Sequence, residues 1–132
     1  MTSSENVALH IEIVQHNDIT VFRPVGWVRL DNHHIIDERL KDLVDQGHRR
    51  FVVDLSMAHF VSSTSLGVLL FYRQSLEAKG GCLLLAAPSP AIWKMLSASG
   101  LARALETCAT VEDALRKSKH AVGSGRLEPV ET

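Results

Sequence analysis

Four consecutive hydroxyl residues, Ser62-Ser63-Thr64-Ser65, are the part of this chain best equipped for chemistry. Serine and threonine oxygens accept hydrogen bonds from the unpaired amides at a helix start. Those amides and the positive end of the helix dipole also favour an anion nearby, phosphate included. One serine suffices for a cap, so a run of four leaves capping and modification both open for each of them. His59 precedes the run and could orient or deprotonate a hydroxyl. A serine hydrolase also needs an orienting acid, an oxyanion hole and a nucleophile elbow, and the chain has no GxSxG. HExxH, GxxxxGK[ST] and GxGxxG are equally missing, which argues against zinc-protease chemistry and nucleotide binding through a phosphate loop. His33 and His34 stand side by side rather than one helical turn apart. His10, His16, His48 and His120 fall near the ends of expected elements, where exposure is the simple expectation.

The elements around the run must position it. Phe51–Leu55 (FVVDL) is apolar on both faces and reads as a strand covered on both sides. Leu66–Phe71 (LGVLLF) is apolar again, and Arg73, Glu77 and Lys79 follow at helical spacing. The order is therefore strand, hydroxyl-rich turn, helix. Leu66, Leu69, Leu70 and Leu76 make a core stripe on that helix. Val68, Phe71 and Tyr72 make a second apolar stripe, either buried or presented to a partner.

Before this centre, Val7–Gln15 and Ile19–Val28 read as a hairpin turning at His16-Asn17-Asp18, with half-exposed alternation of Ile and polar residues. Pro24 marks an edge or a bulge in the second strand. Asp31–Gln46 is an amphipathic helix with Ile36, Leu40, Leu43 and Val44 inward, capped by Asp31 or Asn32, with Asp37 and Glu38 early and Gly47 as its stop. Beyond the centre, Gly80-Gly81 ends the helix and Cys82–Ala87 is a buried strand. Ser89 caps and Pro90 opens a helix with Ile92, Trp93 and Leu96 as its apolar residues, ended by Gly100. Leu101–Thr107 can hold a short strand. Thr110 and Asp113 have capping-box spacing and open a last helix to about Lys119, with Val111, Ala114 and Leu115 inward.

Phe60-Val61-Ser62-Ser63-Thr64-Ser65-Leu66-Gly67-Val68-Leu69-Leu70, preceded by Val53-Asp54-Leu55-Ser56, resembles the signature of STAS domains, and within them the bacterial anti-sigma factor antagonists. The resemblance implies an α/β fold: a mixed sheet of about five strands, led by an N-terminal hairpin and otherwise mainly parallel, with about four α-helices. It sets Ser63 at the phosphoacceptor place, with Thr64 and Ser62 as lesser candidates, and Ser65 where the family usually has Gly. Gly26-Trp27-Val28-Arg29 stands where the family reads Gly-x-Leu-Asp, so Arg29 replaces an acid, and Trp27 and Arg29 would project near the functional face, where Trp27 either covers the strand end or meets a partner. The implied function is that of a phosphorylation-switched interaction module rather than an enzyme. Its partners are an anti-sigma factor serine kinase, bound when the serine is bare, and a phosphatase that restores that state. Ser62, Ser63, Thr64, Ser65, Val68, Phe71, Trp27 and Arg29 would form the partner surface, with no cofactor and no metal. The alternative is a STAS scaffold that is never phosphorylated, a subunit of a sensory or transport assembly. A small-ligand binder using the anion-friendly corner is the third reading.

Composition bounds these readings. With 132 residues, 45% hydrophobic and 22% charged, the chain suits one domain over residues 1–120 and a flexible tail over 121–132. A net charge of −1 gives no electrostatic case for nucleic acid or an acidic membrane surface. No apolar run reaches the length of a membrane span, and MTSSENVALH lacks the features of a signal peptide, so a cytoplasmic location is expected; the expected state is a monomer or weak homodimer. Cys82 and Cys108 have no CxxC spacing and read as buried free thiols.

Overall fold

Residues 8–120 are described by the computed structural model. The opening hairpin pairs β1 (His10–His16) with β2 (Ile19–Val28) in antiparallel register from His10↔Val25 to His16↔Ile19. Asn17 takes φ +58° in the turn, a conformation that asparagine tolerates. There follow α1 (His33–Asp45), β3 (Arg50–Asp54), β4 (Ala58–Val61), α2 (Ser63–Glu77) and β5 (Cys82–Ala86). The described chain closes with α3 (Pro90–Ser99), α4 (Leu101–Ala104), β6 (Thr107–Cys108) and α5 (Val111–His120). The sheet runs β1-β2-β3-β5-β6, with β4 also on β2, and every pairing after the hairpin is parallel. The mixed, hairpin-led architecture is the one expected from the sequence. It carries two short additions, the strand β4 and the helical turn α4.

Alternation along the strands explains the continuous apolar runs. Phe51 and Val53 point to one face, where Ile36 and Leu40 of α1, Leu66 and Leu69 of α2 and Ile92 and Leu96 of α3 cover them. Val52, Ile19, Val21 and Leu84 point to the other, under Ala114 of α5. Each buried Val, Leu, Ile or Phe among them contributes about 1.5–3 kcal/mol of transfer free energy. The half-exposed pattern holds for β1, but Ile19 through Phe22 of β2 are all buried, because β2 is an inner strand covered on both faces. Pro24 accordingly lies on no edge. It falls where β2 changes parallel partner, after Phe22↔Val53 and before Gly26↔Ala58, with a register irregularity at Gly26/Trp27.

Other local expectations are revised. α1 has no side-chain cap, because Asn32 accepts from the Arg29 amide at 2.7 Å and donates to the Trp27 carbonyl at 3.0 Å instead. Asp37 and Glu38 lie beyond the first turn of α1, which holds no acid. Leu101–Thr107 forms α4 and only the first residue of β6. Trp93 of α3 is exposed, while Ile92 and Leu96 are buried as expected. His48 is half-buried, its Nδ1 2.8 Å from Thr20 Oγ1. Ser89 caps α3, Thr110 caps α5 and both cysteines are buried free thiols, in line with the sequence. Gly81 is obligatory, since a Cβ there would lie 2.0 Å from the Arg49 carbonyl oxygen. The expected tail, 121–132, lies outside the described residues.

Asp54 closes β3 as a buried carboxylate. Its Oδ2 accepts from Arg23 Nε at 2.8 Å, and its Oδ1 from the Ser56 amide at 2.9 Å. Burial pushes the carboxyl up, but the Arg23 and Ser56 hydrogen bonds outweigh it and hold Asp54 below its ordinary value. A lowered folded-state value gives stability that is present above the unfolded value and disappears as the pH falls through the folded one. Asp54→Asn should therefore cost about 1.5–3 kcal/mol at pH 7 in urea unfolding. It should also flatten the loss of stability that the wild type shows below about pH 4.

Candidate functional site

The hydroxyl run is placed by strand pairing. β4 runs parallel to the end of β2, with Val28 beside Val61, and the Ser62 amide donates to the Val28 carbonyl at 2.8 Å. The chain then turns directly into α2. Ser62 is the extended N-cap, and its Oγ accepts from the Ser65 amide at 3.1 Å. Ser62 Oγ and Ser65 Oγ are also 2.7 Å apart, so the two hydroxyls hydrogen-bond each other. Ser65 is buried, yet it is an ordinary helical residue that needs no left-handed backbone. Its side chain fits where a glycine was expected because its oxygen completes the cap. Ser63 and Thr64, by contrast, are exposed on the first turn. Two hydroxyls build the corner and two are left facing out.

The neighbouring strand ends bring up Trp27 and Arg29. The Trp27 ring lies 6.1 Å from Phe60 and 6.0 Å from His59, so β2 and β4 share an aromatic patch. His59 is thereby directed to Trp27, and among the described residues no hydrogen bond joins it to the hydroxyl run. Trp27 Nε1 and Arg29 Nε are both buried without a hydrogen-bond partner. Arg29 Nε lies 3.6 Å from Asp31 Oδ1.

Along α2 the second apolar stripe divides. Tyr72 is buried and donates to Asp37 Oδ1 of α1 at 2.6 Å, and burial together with the Asp37 carboxylate pushes its phenol well up. Val68 is half-buried against the core. Phe71 is 62% exposed, its ring edge-on to Tyr72 at 5.3 Å. Ser63, Gly67 and Phe71 follow one another at i, i+4 and i+8, which aligns them on one face. Gly67 is exposed, and a Cβ there would meet nothing within 4 Å, so the face is open at that point. Gly67 and Phe60 were missed as site residues. The small residue one turn from Ser63 and one from Phe71 was a usable signal, whereas Phe60 depended on seeing β4.

The structure thus gathers Ser62, Ser63, Thr64 and Ser65 at one corner, with Trp27 and Arg29 on the adjoining strand end. Phe71 lies two turns along the same helix, and Val68 turns inward. Beneath them, Arg73 of α2 donates to the Leu83 carbonyl at 3.0 Å and to Glu106 Oε1 at 3.1 Å. Burial raises Glu106, but Arg73 and Lys117 outweigh it and hold the carboxyl below its ordinary value.

A hairpin-led mixed sheet with a hydroxyl-capped helix following β4 at the end of the sheet is the arrangement of a STAS domain. Residues 10–114 match the STAS domain family model, and the chain belongs to that family. A relative from Thermotoga neapolitana, named as a candidate anti-sigma factor antagonist, is 25% identical over 101 residues, 76% of this chain and 89% of its own. An anti-sigma factor antagonist from Mycobacterium paratuberculosis shares the fold with a TM-score of 0.78 at 20% identity, over 85% of this chain and 95% of that one. The unphosphorylated anti-sigma factor antagonist SpoIIAA is 26% identical with a TM-score of 0.69, over 87% of this chain and 99% of that one. The Bacillus protein SpoIIAA is also known in its phosphorylated form, at 26% identity and a TM-score of 0.62, over 83% and 98%. No helix among the described residues is long and apolar enough to cross a membrane.

Separate roles for the hydroxyls give separate costs. Ser62→Ala should lower stability by about 1 kcal/mol through loss of the cap. Ser65→Gly should lower it by about 1–2 kcal/mol, since it removes the Oγ–Oγ bond and places glycine in a helix. Ser63→Ala should leave the thermal midpoint within a degree or two, because Ser63 makes no such bond. Differential scanning fluorimetry of the three variants checks the set.

Proposed function

We propose that this chain is an anti-sigma factor antagonist switched by phosphorylation of Ser63. The observation that carries the reading is the division of the hydroxyl run. Ser62 and Ser65 are engaged with each other and with the helix amides, while Ser63 stands exposed at the first position of α2. Thr64 is exposed as well; the motif order places the acceptor at Ser63. The family supports the reading, and so does the existence of a phosphorylated form of SpoIIAA.

The physics follows from the placement. A phosphate adds about −1.5 to −2 charges and three acceptor oxygens. The first amides of α2 can receive it without disturbing the core. A partner packed on the Gly67–Phe71 face cannot, because enclosing the phosphate would strip its water. The bare protein therefore binds an anti-sigma factor serine kinase through Ser63, Thr64, Gly67, Phe71 and the Trp27–Phe60 patch, and so frees the sigma factor. Phosphorylation by that kinase ends the complex, and a separate phosphatase resets it. Ser62 and Ser65 act by holding the corner in shape, and Val68 by supporting the helix from beneath. No side chain is assigned a catalytic role; the His59 ring lies 6.0 Å from Trp27.

The binding test pairs the chain with its cognate kinase in isothermal titration calorimetry. Ser63→Ala should bind within about threefold of wild type, and Ser63→Glu should bind at least about tenfold more weakly, a loss of 1.4 kcal/mol or more. Phe71→Ala should weaken binding by a similar factor with the fold intact. Equal affinities for Ser63→Glu and wild type, together with a peptide 51–73 that stays unmodified in native cells under growth and stress, would sink the switch. That result would leave a STAS scaffold in which the run serves only as a helix cap.

A further inference from the structure

We propose that Arg29 is the intramolecular seat for a phosphate on Ser63, so that modification withdraws a surface cation at the moment it adds an anion. The proposal rests on the reading of Ser63 as the acceptor.

Strand register places the two residues together. On β2 and β4, Trp27 stands beside Phe60 and Val28 beside Val61, and the Ser62 amide is tied to the Val28 carbonyl at 2.8 Å. Arg29 and Ser62 are the next residues on their parallel chains, so they leave the sheet side by side. Ser63 is one residue further on. The backbone of Arg29 is also fixed, because its amide donates to Asn32 Oδ1 at 2.7 Å while Asn32 Nδ2 donates to the Trp27 carbonyl. The stem of this side chain is therefore anchored next to the start of α2.

The guanidinium itself is under-committed. Its Nε atom is buried and lacks a hydrogen-bond partner, while the side chain as a whole is 37% exposed. Its ion-pair partner, Asp31 Oδ1, is 3.6 Å away on a side chain that is 77% exposed. A buried donor of a charged group gains much from an acceptor within reach. A phosphate supplies three, in a geometry that the guanidinium fork meets bidentately. In the bare protein Arg29 is left at the surface, loosely held by Asp31 and available to an acidic group of the partner. In the phosphoprotein it closes onto phosphoserine 63. The partner then meets a new negative charge and loses a positive one on the same patch.

The test uses the full chain with phosphoserine inserted at position 63 during translation, compared by phosphorus-31 NMR titration with the same phosphoprotein carrying Arg29→Gln. The phosphate's second ionisation, ordinarily near pH 6, should fall at least about half a unit lower with Arg29 present. Arg29→Lys should fall between the two, since it keeps the charge and loses the fork. Asp31, His33, His34 and His59, the other titratable groups of this corner, are common to these variants, so the difference isolates Arg29. Equal midpoints with and without Arg29 overturn the proposal, including the case in which both are low because the helix amides alone hold the phosphate. Should Arg29→Gln fail to fold by circular dichroism, Asp31→Asn takes its place. Removing the competing carboxylate should lower the midpoint further, and an unchanged value overturns the proposal. No kinase enters this experiment. Absence of phosphate in native cells would defeat the switch without touching this result, and equal midpoints would leave the switch standing.

Discussion

An inner strand must satisfy its backbone on both sides, and β2 does so with three partners. β1 covers one side from Ile19 to Val25. On the other side β3 serves Ile19–Phe22, and β4 takes over at Gly26–Val28. The handover falls at Pro24 and Val25. Proline has no amide to offer a ladder, so it suits the one stretch where no parallel partner is present. Because β4 lies beyond the end of β3, α2 begins at the end of the sheet rather than over its middle. The candidate site exists at this corner because β2 outlasts β3.

The corner then needs more than one hydroxyl. A helix start that follows a strand without a loop leaves its amides to be satisfied within a few residues. Ser62 takes the Ser65 amide with its side chain and the Leu66 amide with its carbonyl, and Ser65 returns a hydroxyl contact. This arrangement resembles a capping box, with a serine in place of the usual glutamate. It relieves Ser63 and Thr64 of any structural duty. A residue free of structural duty can be modified without loss of the fold, which is the condition that a phosphorylation switch imposes.

Much of this was legible in the sequence, and what was not has physical reasons. Strand β5 announces itself because every residue is apolar, β3 by its apolar run Phe51–Val53, and α3 and α5 because Ser89, Pro90 and Thr110 cap them. Strand β4 does not. Only Ala58 and Val61 of its four residues are buried, and His59 and Phe60 are exposed, so it has neither the length nor the alternation of a strand. Its pairing comes from the end of β2, a long-range cause that no local pattern carries. The sequence leaves Phe71 and Tyr72 open together, as a stripe either buried or presented to a partner. Adjacent residues on a helix point about 100° apart: Tyr72, three residues after Leu69 and four before Leu76, lies on the buried leucine face and meets Asp37 of α1, while Phe71 faces out. The motif names Ser62, Ser63, Thr64, Ser65, Trp27 and Arg29, and the fold brings these residues to one corner. The burial of Ser65 could not be read, because a hydroxyl becomes a core group only when a partner such as Ser62 meets it.

The way α2 is held limits how a change at Ser63 can be transmitted. Tyr72 fastens the helix to α1 through Asp37. On the following residue, Arg73 grips the Leu83 carbonyl of β5 and Glu106, which Lys117 of α5 also approaches at 3.3 Å. Glu106 holds φ +44°, a strained conformation for a residue with a Cβ, and its two cationic neighbours help to keep it there. With Leu66, Leu69 and Leu76 buried along the same helix, any rotation or slide of α2 would break contacts with both α1 and the sheet at once. A phosphate at its first turn gains charge-assisted hydrogen bonds worth a few kcal/mol at most, less than the burial and ion pairs that would have to be given up. On the proposed reading, a phosphate on Ser63 would act only at the corner that carries it. A partner would detect it by touching Ser63 and its immediate neighbours, on the exposed turn of α2 and the adjoining ends of β2 and β4.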